Sequence, residues 1–153
     1  MLDTGSRVVG KSAFTPAVIL SGVAVGIFQA ISPIVLWWLD AADVWGVALA
    51  MIASVYVGFA VADGRKAVIL VEVMVAFAFV ICATLAMASF PWLIVIGLLG
   101  HGLKDLWQHR TQFVANTRWW PPFCLVVDVV AAALTAAFLL AGFNLRGLVP
   151  WGV

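Results

Sequence analysis

The only two histidines of the chain lie on one predicted helical face, with an aspartate between them. His101, Asp105 and His109 are spaced four residues apart, which places their side chains along one stripe of an α-helix. The stripe lies at the end of an otherwise apolar segment, where ionisable groups are costly and usually serve a function. Because imidazole and carboxylate groups exchange protons and bind metal ions, this spacing indicates an acid/base site or a metal site.

A second group of reactive side chains follows a short polar connection. Residues 119–124 read Trp-Trp-Pro-Pro-Phe-Cys, and the next apolar segment contains Asp128, one helical turn after Cys124. An isolated ionised aspartate inside such a segment would be expensive, so Asp128 must be protonated, paired or metal-bound. We expect its partners to be His101 and Lys104.

Composition places the chain in a membrane. Of its 153 residues, 65% are hydrophobic and only 10% are charged, whereas about a quarter of the residues of a soluble domain are charged. This predicts a single integral membrane domain over residues 1–153. The net charge of +1 gives no indication of a nucleic-acid partner.

Five apolar segments approach the roughly 20 residues that a helix needs to cross a bilayer. Backbone groups in lipid must be satisfied within the segment, and the alternation typical of a β-barrel is absent, so we predict an all-α bundle of five transmembrane helices. The predicted helices cover residues 16–39, 44–61, 67–87, 91–107 and 121–143.

The basic residues predict the orientation of this bundle. Seven of the eight fall on one side, and only Arg146 falls on the other. The positive-inside rule therefore predicts a cytoplasmic N-terminus, a C-terminus outside, and a multi-pass protein of a bacterial cytoplasmic (inner) membrane. The seven are Arg7, Lys11, Arg65, Lys66, Lys104, Arg110 and Arg118.

The tryptophans agree, because all eight fall at predicted helix ends, as interfacial aromatic belts require. Trp37, Trp38, Trp45, Trp92 and Trp151 would lie at the outer interface, and Trp107, Trp119 and Trp120 at the inner one.

Converted into depth at about 1.5 Å per helical residue, the topology brings polar residues from four helices into one layer of the cytoplasmic leaflet. Glu72, for example, lies about 9 Å in from that edge and Asp128 about 10 Å. We predict a pocket with His101, Asp105, Asp128 and Glu72 as catalytic residues, lined by Tyr56, Cys124, Trp120 and His109.

The same depths separate the two cysteines. Cys124 would lie about 5 Å from the cytoplasmic edge and Cys82 about 24 Å. A disulfide needs Cα atoms within about 7 Å of each other, so we expect no disulfide.

The residue types favour acid/base chemistry on a lipophilic small molecule, of an isomerase, cyclase or hydrolase type. A metal-dependent enzyme is an alternative, in which His101 and Asp105 bind an ion together with Asp128 or Glu72. His109 would lie about 12 Å from His101 along the helix and could not share that ion. A proton-coupled transporter or carrier and an accessory subunit with a structural polar layer also remain open, and the residues identify no cofactor.

The expected partners are the lipid bilayer and the lipophilic small molecule. A homodimer is possible, since a polar path across the membrane would need more than one copy of so short a chain. The spacing Gly22-x-x-x-Gly26 allows close helix packing, but within one chain as readily as between two.

The two motifs together resemble a known pattern. His101-Gly102-x-x-Asp105-Leu106-x-x-His109, followed by Trp119-x-Pro121-x-Phe123-Cys124-x-x-x-Asp128, is similar to the signature of a family of small uncharacterised bacterial multi-helix integral membrane proteins. The resemblance covers about 30 residues. It implies that the histidines, both aspartates and Cys124 belong to a single motif, and it supplies no activity.

Overall fold

Five helices make up residues 13–115 and 117–142, which are the residues that this computed structural model describes. Consecutive helices contact each other, and α5 also packs against α1, so the chain runs up and down around a closed bundle. The all-helical prediction is confirmed, and the described ranges contain no strand. The helices are α1 (Pro16–Val35), α2 (Ala41–Asp63), α3 (Lys66–Ala88), α4 (Trp92–Thr111) and α5 (Trp120–Leu140).

The predicted orientation rests partly on four residues outside the described ranges, namely Arg7, Lys11, Arg146 and Trp151. The turn between α2 and α3 and the loop between α4 and α5 lie at the same end of the bundle, because the Arg65 guanidinium donates to the Phe113 carbonyl at 2.6 Å. We call this the basic end.

Helix α1 ends four residues earlier than predicted, and Pro33 in its last turn supplies the reason. Proline has no N–H to donate to the carbonyl of Gln29. The Ser32 hydroxyl donates to that carbonyl instead, at 2.7 Å. The helix ends at Val35, and α2 starts at Ala41, earlier than predicted.

Helix α4 extends four residues beyond its predicted end at Trp107. Gln108 is fully buried and helical, and the helix ends at Thr111, directly before Gln112, whose φ of 50° is left-handed. Helix α5 then begins at Trp120 with Pro121 and Pro122 in its first turn, where a missing N–H costs no helical hydrogen bond.

Four helices, α1, α2, α3 and α5, are long and apolar enough to cross a membrane. Helix α4 is less apolar, but three of its polar side chains, His101, Asp105 and Gln108, are buried inside the bundle. Its outward stripe carries large hydrophobic residues that are exposed on the surface of the single chain, at positions Ile96, Leu99, Leu103 and Trp107. Such an inside-out distribution is typical of a helix whose outer face contacts lipid.

Close contact between α1 and α5 depends on the predicted small-residue motif. A Cβ on Gly22 would lie 2.9 Å from the Val126 side chain, and one on Gly26 would lie 2.8 Å from the Val127 carbonyl oxygen. The Gly22-x-x-x-Gly26 motif therefore packs helices within this chain. It contacts the face of α5 opposite to Asp128.

An apolar core occupies the half of the bundle away from the basic end. We call it the apolar layer, and Leu49 and Ile94 lie at its centre. Trp45 also lies in it and is buried inside the bundle, where its indole N–H donates to the Ala30 carbonyl at 3.0 Å and its ring stacks on Phe138. Its position at the outer membrane interface stays a prediction. The buried members of the layer are Trp45, Leu49, Ala83, Ala86, Ile94, Val95, Leu98, Ala131 and Ala132.

Candidate functional site: a buried histidine and carboxylate cluster

His101 lies between two carboxylates in the centre of the bundle. Its Nδ1 atom is 2.7 Å from Oδ2 of Asp128 on α5 and 3.3 Å from Oδ2 of Asp105, one turn along α4. All three side chains are fully buried. An imidazole nitrogen that touches two carboxylates must carry or share a proton, because charge repulsion would otherwise be unopposed.

Tyr56 on α2 holds the outer oxygen of Asp105. Its hydroxyl donates to Oδ1 of Asp105 at 2.6 Å, and its ring is fully buried. This hydrogen bond orients the carboxylate and leaves Oδ2 directed toward His101. Among the described residues, Oδ1 of Asp128 has no hydrogen-bond partner, and Oδ2 of Asp105 has only the 3.3 Å contact with His101.

Lys104 and Glu72 form a second pair beside the first. The Lys104 ammonium lies 2.7 Å from Oε2 of Glu72 on α3 and 3.1 Å from the centre of the Tyr56 ring, a cation–π contact. The prediction that Lys104 would pair with Asp128 is wrong, because the ammonium reaches α3 while α5 meets His101 instead. We call Tyr56, Glu72, His101, Lys104, Asp105 and Asp128 the polar cluster.

The polar cluster has more negative than positive groups. Three carboxylates face two groups that can be cationic, Lys104 and a protonated His101. One negative charge is therefore left in a buried site, where an uncompensated charge is very costly. The cluster must bind a further proton or a cation to be neutral.

Gly102, next to His101, lets α5 approach α4 closely enough for Asp128 to contact His101. A Cβ on Gly102 would lie 3.3 Å from Leu125 and 3.5 Å from the Cβ atom of Asp128. Small residues allow neighbouring helices to approach closely in this way.

Gln108 is a buried polar residue that sequence reasoning missed. Its amide nitrogen donates to the Val114 carbonyl at 2.9 Å and to the Thr117 hydroxyl at 3.3 Å, and its amide oxygen accepts from the Val114 N–H. These bonds fold the loop after α4 back onto the helix. The sequence contains a signal for this burial. Gln108 lies three residues after Asp105, and residues three or four apart share one face of a helix.

A second clamp holds this loop to the α2–α3 turn. The shielded Asp63 carboxylate accepts from the Ala115 N–H at 2.7 Å and pairs with the exposed Arg65 at 2.6 Å. The hydrogen bond to Asp63 raises the pKa of Arg65, so the guanidinium stays charged. Because the loop leads into α5, both clamps fix the start of the helix that carries Asp128.

The four residues predicted to line the pocket lie at different distances from the polar cluster. Tyr56 is part of the polar cluster, and Cys124 is buried one turn before Asp128 on α5. Trp120 packs against Phe59, next to Tyr56, whereas His109 lies against Phe14 of the α1 end with a ring-centre distance of 5.2 Å. His109 thus follows the stripe of α4 but contacts another part of the bundle.

Both cysteines are free, as predicted. The Cys82 thiol lies 3.5 Å from the Leu93 carbonyl, between α3 and α4, and takes no part in the polar cluster.

The described residues line surface grooves outside the cluster. One, of about 510 Å³, runs between α1 and α2 and includes Gln29 and Asp43. The other, of about 480 Å³, lies between α2 and α3 and includes Ser54 and Thr84. No cluster residue lines either groove, and the cluster side chains fill the space between the helices themselves. The pocket open to one leaflet remains a prediction.

Comparison with protein-family models, with curated proteins and with solved structures finds no match to this chain. The fold and site define a class: a multi-helix bundle with four helices apolar enough to cross a membrane and a closed histidine and carboxylate cluster inside it. The resemblance to small bacterial membrane proteins stays a prediction.

Proposed function

We propose that this protein is an intramembrane acid/base enzyme that acts on a lipophilic small molecule. The observation that carries the proposal is the contact of one buried imidazole nitrogen with two carboxylates, at 2.7 and 3.3 Å, in a cluster with an excess negative charge. Such a cluster holds at least one proton beyond those on Lys104 and His101. A proton held in this way is available to a reacting group, and its loss creates a base in the same position.

Each residue of the cluster has a distinct role in this proposal. The His101–Asp128 pair exchanges the proton with the substrate, because these groups make the shortest contact between imidazole and carboxylate. Asp105 stabilises the imidazolium, while Tyr56 fixes the orientation of Asp105. Glu72 pairs with Lys104 and neutralises its charge, so that the ammonium does not pair with Asp105 or Asp128.

The membrane placement that we propose has five spans, with the basic end in the cytoplasm. The outward apolar stripe of α4 supports the fifth span, since Ile96, Leu99 and Leu103 would otherwise be exposed to water. At about 1.5 Å per residue, the 20 residues of α4 extend about 30 Å, the thickness of a hydrocarbon core. Arg65, Lys66, Arg110 and Arg118 at the basic end support the cytoplasmic side of a bacterial inner membrane.

The substrate reaches the cluster from the bilayer between α3 and α4. Lys104, which bridges these two helices, is the most exposed ionised group of the cluster, with 11% of its side chain accessible. Outward movement of its flexible stem would open the space beside Tyr56 and Asp105. A lipophilic molecule suits this route, because the surrounding surface of α3 and α4 is apolar.

The apolar layer argues for chemistry within one leaflet rather than transport across the membrane. Ile94 and Leu98 of α4 and Leu49 of α2 are fully buried directly beyond the cluster. In the described part of the chain, this layer places tightly packed hydrocarbon where a proton-coupled transporter needs a polar path.

The test compares lipids in cells that express the full-length protein with those in cells that express His101→Gln or Asp128→Asn. We expect a lipophilic compound to be formed or consumed with the wild-type protein and to return to the level of empty cells with both variants. Cys82→Ser serves as the control, because this half-buried thiol lies on a neighbouring helix outside the cluster and should leave the lipid profile unchanged.

Equal amounts of inserted protein must be verified for every variant. Unchanged lipid profiles in both cluster variants, at equal expression, would leave the cluster as a structural layer of an accessory subunit and would overturn the proposal.

A further inference from the structure

We infer that the polar cluster is a binding site for one divalent first-row transition-metal ion, held by His101, Asp105 and Asp128. The inference rests on the proposed function in that the ion would occupy the same site and supply its cofactor. One ligand atom from each of the three buried residues lies within 4.8 Å of the other two. One imidazole and two carboxylates form a ligand set that zinc, manganese and ferrous iron accept.

The distances between the ligand atoms are close to those of a metal-bound site. The His101 Nδ1 atom lies 2.7 and 3.3 Å from the two carboxylates. With metal–ligand bonds of about 2.0–2.2 Å in a tetrahedral site, ligand atoms lie about 3.4 Å apart. Separation of His101 and Asp128 by less than about 1 Å would therefore admit an ion between them.

Unpartnered oxygen atoms provide an independent indication of a ligand. Oδ1 of Asp128 is buried and has no hydrogen-bond partner among the described residues, and Oδ2 of Asp105 has only its 3.3 Å contact with Nδ1 of His101. Tyr56 donates to Oδ1 of Asp105, as the outer hydrogen-bond partner of a metal-bound carboxylate does, and leaves Oδ2 directed toward His101 and the inferred ion. A buried carboxylate oxygen without a donor is costly, and a cation would compensate for it.

The charges of the cluster fit a divalent ion. Lys104 and Glu72 neutralise each other, so the two aspartates remain, with a histidine that is neutral when it binds a metal. A divalent cation balances two carboxylates, whereas without the ion the same site needs two protons. Metal binding should consequently release protons, which gives the inference a readout besides activity.

The fourth position of such an ion would be open to water or substrate, because residues 13–115 and 117–142 supply three ligands at the site. An ion there would polarise a substrate oxygen or lower the pKa of a bound water, which serves the proposed acid/base chemistry. Cys124, although buried nearby on α5, is not needed as a ligand.

The experiment titrates metal-free, full-length protein in lipid nanodiscs with Zn²⁺ and, separately, Mn²⁺, by calorimetry in two buffers of different ionisation enthalpy. The wild-type protein should bind about one ion per chain and release protons. Asp128→Asn should weaken binding more than about 100-fold, and Tyr56→Phe, which removes only the orienting hydrogen bond, about 10-fold to 100-fold.

Glu72→Gln is the matched control. It removes one negative charge from the same cluster, as Asp128→Asn does, but it removes no ligand. We expect its affinity to stay within about 10-fold of wild type, since its effect is electrostatic only. Asp105→Asn provides a second ligand variant should Asp128→Asn fail to insert.

Absence of saturable binding by the wild-type protein, or equal losses in Asp128→Asn and Glu72→Gln, would overturn the metal inference. Lipid changes that depend on His101 in a protein that binds no metal would overturn the metal inference alone and leave the acid/base proposal standing. Stoichiometric metal in a protein without any lipid change would overturn the proposed function and retain the metal site.

Discussion

The same helices contribute to two different regions of the bundle, the apolar layer and the polar cluster. Along the inward face of α4, Ile94 and Leu98 belong to the apolar layer, and His101 and Asp105, from one turn further on, belong to the polar cluster. Leu49 and Tyr56 divide α2 in the same way. The apolar layer contributes packing, which depends on volume, whereas the polar cluster depends on the identity and charge of each side chain.

This difference indicates where stability and function lie. In a bilayer, the apolar layer gains little from the hydrophobic effect and holds the helices by close contact. The polar cluster adds hydrogen bonds but also carries an excess negative charge. Substitutions in the apolar layer should therefore change stability alone, whereas substitutions in the polar cluster should also change protonation, metal binding or chemistry.

The largest effect on stability is expected for Lys104→Met. Loss of the ammonium leaves Glu72 without a counter-charge and increases the excess negative charge, at a cost of about 3–5 kcal/mol for a broken buried pair. Unfolding of the full-length protein in bicelles by steric trapping measures it. Glu72→Gln should cost much less, because it removes the excess charge, and equal costs for the two variants would contradict the charge count.

The next largest effect is expected for Leu49→Ala in the apolar layer. Leu49 is fully buried and fills the space over Gly97, so its truncation leaves a cavity and costs about 2–5 kcal/mol. Met51→Ala, on the exposed face of the same helix, is the control and should cost far less. The metal affinity of Leu49→Ala should be unchanged. A lower affinity would contradict the distinction between the apolar layer and the polar cluster.

A smaller effect is expected from the hydrogen bond between Tyr56 and Asp105. A double-mutant cycle with Tyr56→Phe and Asp105→Asn should give a coupling free energy of about 0.6–1.7 kcal/mol, the range of interhelical hydrogen bonds in membranes. The unfolding free energies of the four proteins supply the cycle. Coupling indistinguishable from zero would mean that this bond does not order the carboxylate.

The smallest effect is expected for Cys82→Ser. The thiol makes only a weak contact with the Leu93 carbonyl, and a hydroxyl can donate to the same oxygen. The unfolding free energy should change by less than about 0.5 kcal/mol, as for substitutions away from special features. A larger loss would place this cysteine in a tighter packing role than the structure indicates.

The helices and their polar layer were predictable from sequence because membranes restrict the alternatives. Apolar segments long enough to cross must be helical, and consecutive helices must reverse direction, so residues such as Glu72, Tyr56 and Asp128 acquire predictable depths. Pairing was harder to predict. The depth of a residue does not reveal which helices are neighbours. The predicted pairing of Lys104 with Asp128 on α5 was wrong for this reason, because Lys104 pairs with Glu72 on α3.

Local contacts were hard to predict for reasons of the same kind. Trp45 satisfies the rule for an interfacial aromatic residue by position, yet a buried acceptor at Ala30 lets it join the core. Gln108 lies near a helix end, where a polar residue normally faces water, but the loop folds back and buries it. Both outcomes depend on tertiary contacts that no sequence period encodes.

The excess negative charge of the polar cluster is the central claim, and infrared spectroscopy of metal-free protein in nanodiscs tests it most directly. At neutral pH we expect the signal of one protonated carboxylic acid, lost in either Asp105→Asn or Asp128→Asn because each change removes the excess charge. Lys104→Met should increase that signal. A spectrum in which every carboxylate of the metal-free wild-type protein is ionised, unchanged by these substitutions, would contradict the account.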